Sequence, residues 1–254
     1  LQALRGIITP GGDKMTDTLK KQVCATLISM LNHSEDITRS AVAGCLGALL
    51  KYLPAEQVDD ILKNNILVDD GDESPIKHGR TAVLFVSLKE CPEYILKDSN
   101  EDKIIKFIIS NITSDKINIA NNSVRAAAYF IEFKLNIKNT PPQNLTVAFT
   151  RAMNHSSNEV KQLVAKSCSH LAKKIAAEDM SMDVMKYLIP MLVNGTKEKN
   201  GYVKSNSEIA LHSILRLREN ESTFVRISEL LESGSRDSLS DVVTKVLRKV
   251  VIQN

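Results

Sequence analysis

The 254-residue sequence predicts an all-α fold, an α-solenoid of about six stacked helix pairs, and three observations carry that expectation. First, a branched aliphatic residue followed by a basic one, then by small and aliphatic residues at helical spacing, recurs about every forty residues. Second, the chain holds only ten Gly and seven Pro, which suits long helices and short connections. Third, no segment alternates apolar and polar residues with the period of two that a half-buried strand requires.

The recurring pattern reads Ile37-Thr38-Arg39-Ser40-Ala41-Val42, then Gly79-Arg80-Thr81-Ala82-Val83, then Val124-Arg125-Ala126-Ala127-Ala128. It continues as Val160-Lys161-Gln162-Leu163-Val164-Ala165 and as Val203-Lys204-Ser205, leading to Ile209 and Ala210. Its basic residues Arg39, Arg80, Arg125, Lys161 and Lys204 are separated by 41, 45, 36 and 43 residues. A weaker sixth copy, Asp241-Val242-Val243-Thr244-Lys245, follows 41 residues after Lys204. This is the period of HEAT or armadillo units, each a helix A followed by a helix B that the pattern opens.

The elements follow in order. Residues 1–8 read as the tail of an earlier helix B. Residues 14–31 form the first helix A, with Leu19, Val23, Leu27 and Met30 spaced to share a face. The loop Asn32-His33-Ser34-Glu35 then offers Ser34 or Asp36 as N-cap to a helix B over 36–52. Gly44 and Gly47 inside that helix each cost about 1 kcal/mol relative to Ala, which predicts close approach of a neighbouring helix. Further pairs are expected at 54–64 with 75–91, 101–112 with 119–135, 142–153 with 158–176, and 182–193 with 202–217. Pro190 is expected to kink or shorten the 182–193 helix. Residues 222–232 and 239–252 make the last pair. With no Pro/Ser-rich linker, residues 1–254 read as a single HEAT-repeat domain, expected to be a C-terminal fragment of a much longer repeat protein. One helix pair cannot bury its apolar face alone; stacking supplies a continuous core and an extended binding surface.

Composition narrows the function classes. The apolar fraction of 43% supports a core, and with 4% aromatics and no Trp aliphatic side chains must fill it. Residues 1–127 carry 15 Lys and Arg against 17 Asp and Glu, net −2, whereas residues 128–254 carry 18 against 13, net +5. The mildly basic second half hints at an acidic or phosphate-bearing partner. Cys24, Cys45, Cys91 and Cys168 form no C-x-x-C pair and read as core thiols of a reducing compartment. Seven N-x-S/T sequons, among them those starting at Asn32, Asn154 and Asn194, fall mostly between helices, where caps and turns favour these residues. No apolar run is long enough to span a membrane, so no membrane partner is expected.

Catalysis finds no support. His33, His78, His155, His170 and His212 are scattered without ligand-spaced partners, and the acidic run Asp69-Asp70-Gly71-Asp72-Glu73 lacks the ligand pattern of an EF-hand loop. No phosphate-binding or nucleophile-elbow motif occurs, and Cys168 and His170 point different ways on one helix. The expectation is therefore no enzyme, no cofactor, no metal and no small-molecule substrate. The basic residues carry what remains. Arg39, Arg80, Arg125, Lys161 and Lys204 should align as a ladder on stacking, with a structural pairing to acids such as Asp36, Glu159 and Asp241 preferred over a ligand-facing row. Lys161, Lys166, Lys173, Lys197, Lys199 and Lys204 form the candidate partner-binding edge. Lys166, Lys173, Lys174, Lys197 and Lys199 are interspersed with Glu and no aromatics alternate with them for base stacking, so a solvated face is preferred over an RNA contact.

Specific residues carry a resemblance. Ala43-Gly44-Cys45-Leu46-Gly47, Lys77-His78-Gly79-Arg80, and Thr196-Lys197-Glu198-Lys199-Asn200 followed by Tyr202-Val203-Lys204 together resemble the extreme C-terminal repeats of the very large HEAT-repeat stalled-ribosome sensors known as the general control non-derepressible protein one family. The resemblance covers nearly the whole chain in order. It implies a cytoplasmic scaffold that binds ribosomes and docks, through an RWD domain, the kinase that phosphorylates the alpha subunit of initiation factor two in the amino-acid starvation response. The family's RWD-docking surface lies mainly near or before the start of this segment, so the resemblance assigns no docking residue here. Lys161 in place of Arg, and the unclear sixth copy, depart from the pattern. The alternatives are an RNA- or ribosome-binding HEAT module and a generic HEAT adaptor for protein partners.

Overall fold

The computed structural model describes residues 1–68, 75–174 and 182–216. Every regular element among them is helical. The pair expected at 222–232 and 239–252, Asp241, Lys245 and the acidic run 69–73 lie outside the described residues.

Residues Leu1–Phe130 and Ile131–Asn254 form two compact units. In the first, α1 (Gln2–Gly11) precedes the pair α2 (Asp17–Ser29) and α3 (Asp36–Leu50). The pair α4 (Ala55–Ile61) and α5 (Pro75–Glu90) follows. Then come the single turn α6 (Pro92–Ile95) and α7 (Asp98–Asn111), leading to α8 (Ile117–Asn136), within which the division between units falls. The second unit contains α9 (Gln143–Arg151), α10 (Asn158–Lys174), α11 (Met182–Gly195) and α12 (Gly201–Arg216). Successive B helices pack on one another, α3 on α5 in the first unit and α10 on α12 in the second. Helix α1 packs on α3 in the same way, as expected of a helix B.

The cores are aliphatic. Helix α3 is buried without interruption from Val42 to Leu50, as befits a helix covered on several sides. Its glycines explain themselves by contact. A Cβ on Gly47 would lie 2.5 Å from Val86 Cγ1 of α5, and one on Gly79 would lie 2.5 Å from the Leu31 carbonyl oxygen. Those helices approach so closely that only glycine fits. Gly44 is looser, facing the flexible end of Arg5.

Several local expectations change in detail. The buried side of α2 runs through Cys24 and Leu27 to Leu31 in the following turn, whereas Leu19 in its first turn is 45% exposed. Glu35, not Ser34 or Asp36, stands at the N-cap of α3, because Asp36 is already helical and turns to Arg39. Helix α2 does have a side-chain cap, with Thr16 Oγ1 accepting from the Leu19 amide at 3.3 Å. Pro190 does not end α11, which continues to Gly195. Among the described residues, helix A of two repeats finishes in a tight turn ending on Asn, Met30–Asn32 and Ala152–Asn154. His33 and His155 follow, and the Nδ1 of each accepts a backbone amide two residues on, from Glu35 at 3.1 Å and from Ser157 at 2.9 Å. Two of the sequons are thus the repeat's own turn between helices A and B.

Candidate functional site

The repeated basic position does different work in different repeats. Arg39 of α3 is 4% exposed. Its Nη1 donates to the carbonyl oxygens of His33 and, at 2.8 Å, Ser34, and its Nη2 pairs with the Asp36 carboxylate. Its Nε donates to His78 Nδ1 of α5 at 3.0 Å. That bond needs a neutral imidazole; burial first, and then the Arg39 charge, hold the His78 pKa down at about 4. Asp36 also accepts from the Asn118 amide of α8, and Asn122 of α8 reaches Thr81 of α5 at 3.5 Å. One polar chain thereby joins the first turns of three B helices.

Arg80 is buried likewise, and its Nε donates to the Asn65 carbonyl at 2.9 Å while Nη1 reaches that of Val68 at 3.4 Å. Arg39 and Arg80 each satisfy backbone carbonyls where the chain passes from helix A to helix B, groups that would otherwise be buried without partners. Arg125 is different: it is exposed, with its guanidinium carbon 5.4 Å from the Phe85 ring centroid. The spacings of 45 and 36 on either side of it already set it apart. Asn121, 41 residues after Arg80, is the buried residue one turn earlier.

In the second unit Lys161 is part-buried, and its Nζ donates to Glu198 at 2.9 Å in the loop between α11 and α12. Beside it Gln162 Nε2 donates to Asn200 Oδ1 at 3.2 Å. Asn200 Oδ1 also accepts the amides of Tyr202 at 3.1 Å and Val203 at 3.2 Å, capping α12. Gly195 allows the end of α11 to press on Ser207 of α12. The loop is therefore held at both ends. Around it opens a depression of about 780 Å³ lined by Asn158, Asn194, Lys197, Glu198, Lys199 and Asn200. Lys197, Lys199 and Lys204 are exposed here, and Lys166 is exposed on α10. The candidate edge thus divides: Lys161 is drawn inward to Glu198, and the loop lysines stay outward. Lys173 lies in α10 with its side chain outside the described set.

The remaining reactive groups serve packing. All four cysteines are buried and free. Burial pushes the Cys24 thiol up to about 11 and Cys91 to about 12, and raises Cys45 and Cys168 as well. His170 Nε2 lies 3.5 Å from Glu132. Among the described residues, no cluster of three or more His, Cys, Asp or Glu could hold a metal, and no helix is long and apolar enough to cross a membrane.

Comparison with known proteins matches the whole chain, residues 1–254, to the family model for stalled ribosome sensor GCN1-like HEAT repeats. The human stalled ribosome sensor GCN1 is 29% identical over 255 residues covering all of the chain, and the mouse protein of the same name is 28% identical over the same extent. The chain spans 10% of the length of each. Among solved structures, the crystal structure of an engineered protein aligns over 93% of this chain and 97% of its own at 14% identity, with a TM-score of 0.49.

Proposed function

This chain belongs to the family of stalled ribosome sensor GCN1-like HEAT repeats, and from that premise we propose that it is a non-enzymatic scaffold segment of a ribosome-associated protein. The name of its relatives, stalled ribosome sensor, supports ribosome association for this segment too. In the same reading the protein it belongs to works in the cytoplasm, activates the kinase acting on the alpha subunit of initiation factor two, and meets that kinase through its RWD domain during amino-acid starvation. Those finer points rest on the family resemblance.

The observation that carries a binding role is the division of labour among the basic residues. Arg39, Arg80 and Lys161 are occupied in joining helices and loops, while Lys166, Lys199 and Lys204 are exposed to solvent. A segment built this way offers charge to a partner without loosening its core. The test is co-sedimentation of the purified chain with ribosomes, beside a pull-down from cytosol read by mass spectrometry. Ribosomal proteins, or an RWD-containing kinase, should be recovered with the chain. A chain that stays in the supernatant at low salt and retains neither class would overturn the reading.

A further inference from the structure

We propose that the first turn of α12 and the loop before it form a docking point for single-stranded RNA, with Tyr202 stacking on a base and Lys199 and Lys204 meeting phosphates. The inference deepens the ribosome-associated reading above and rests on it for the choice of RNA.

Tyr202 carries the argument. It stands in sequence between Lys199 and Lys204, an aromatic amid the lysines that the charge pattern alone passes over. Tyr202 is 73% exposed, whereas most other aromatics among the described residues are covered. The backbone beneath it is held firmly: its amide donates to Asn200 Oδ1 at 3.1 Å, and its carbonyl accepts from Asn206 Nδ2 at 2.9 Å. An exposed ring on backbone held in this way is a stacking platform, and stacking on a base tolerates any sequence because every base has a π-face.

The surroundings suit a nucleotide strand. The depression lined by the loop that leads into Tyr202 carries the exposed amides of Asn158 and Asn194, which can donate to or accept from base edges or sugar hydroxyls. Glu198, the acid of its lining, has its charge offset by Lys161 at 2.9 Å, and Lys199 of the same lining is exposed to solvent. The α12 amides of Tyr202 and Val203 are already taken by Asn200, so anion contact falls to side chains rather than to the helix end. An acidic peptide would use the lysines and leave the ring idle. A duplex would also use them, but its bases are stacked on one another and cannot lie on Tyr202.

The experiment measures fluorescence anisotropy of a labelled 15-nucleotide single-stranded RNA of mixed sequence, and of its blunt duplex, with the 254-residue chain. Single-stranded RNA should bind more tightly than the duplex. Y202A should weaken it roughly tenfold, Y202F should leave it within about twofold, and a K199E/K204E variant should weaken binding and lower its salt slope. Cross-linking of a 4-thiouridine RNA to the wild-type chain, mapped by mass spectrometry, supplies a readout independent of variant folding and should label Tyr202. Equal binding of Y202A and wild type, equal affinity for the duplex, displacement by an aspartate-rich peptide at matching concentration, or cross-links that avoid 199–204 would each overturn the proposal. Should ribosome co-sedimentation survive Y202A while RNA binding is unchanged, the RNA dock fails and the scaffold reading stands.

Discussion

At the scale of single residues, two positions carry consequences that a contact count would miss. Lys138 adopts φ 57°, the left-handed conformation that disfavours side chains with a Cβ. It stands just beyond α8, where Asn139 N donates to Lys134 O at 2.8 Å and Lys138 N to Leu135 O at 3.0 Å, closing the helix in a Schellman turn. Lys138→Gly should therefore stabilise the chain by roughly 0.5–1 kcal/mol, measured as a higher urea midpoint at unchanged slope. His78 acts in the opposite sense. Its folded pKa of about 4 lies below the ordinary 6.5, so the unfolded chain takes up the proton first as pH falls. Its contribution is intact above about pH 6.5 and is lost towards pH 4, by about 2 kcal/mol at pH 5 for this one group. His78→Asn retains an acceptor for Arg39 and removes the titration. Its stability should fall less than that of wild type between pH 7 and pH 5; parallel losses would mean that other groups govern the acid limb.

At the scale of elements, α3 shows what a helical pattern can and cannot announce. The spacing of Ala43 and Leu46 places both inward, and both are fully buried. Leu46→Ala should cost about 2–5 kcal/mol in equilibrium unfolding, because the helix is clamped between α1 and α5 and the void cannot collapse freely. In a repeat array the loss can unfold one end first, so hydrogen exchange on 17–90 is the more local readout. The amphipathic pattern does not disclose α6, a single turn begun by Pro92, although Pro at the first helical position was a readable signal. Nor does it disclose that Leu19 lies outward, since the sequence marks an apolar position but not whether a neighbour reaches the first turn.

At the scale of the whole chain, surface charge and stability separate. The prediction concerns a Lys166/Lys199/Lys204→Glu triple variant in the basic half, all three exposed. Exposed lysines contribute little to folding, so its helical circular dichroism and melting should match wild type to within about 1 kcal/mol. Its ribosome co-sedimentation should weaken, and the dependence of binding on log salt should flatten, because fewer counterions are released. Wild-type affinity at low salt would place the binding surface elsewhere on the chain.

The sequence by itself determined the all-helical class, the forty-residue repeat and the boundaries of most helices, because each rests on short-range periodicity that packing reinforces. It also marked Gly47, though not Gly79 or Gly195, as a place where a neighbouring element leaves room only for glycine, and the loop that now borders the depression. Only tertiary structure decided what each basic residue does. Arg39 and Arg80 reach carbonyls where helix A gives way to helix B, but Arg125 lies one turn further along than the buried Asn121, about 6 Å down the axis, and rests on Phe85 instead. Lys161 and Lys199 look alike in the sequence, yet one is drawn to Glu198 and the other is left in solvent. A repeat pattern records the type of residue at a position; the direction of its side chain depends on how each helix is rotated against its neighbours, which no local spacing encodes.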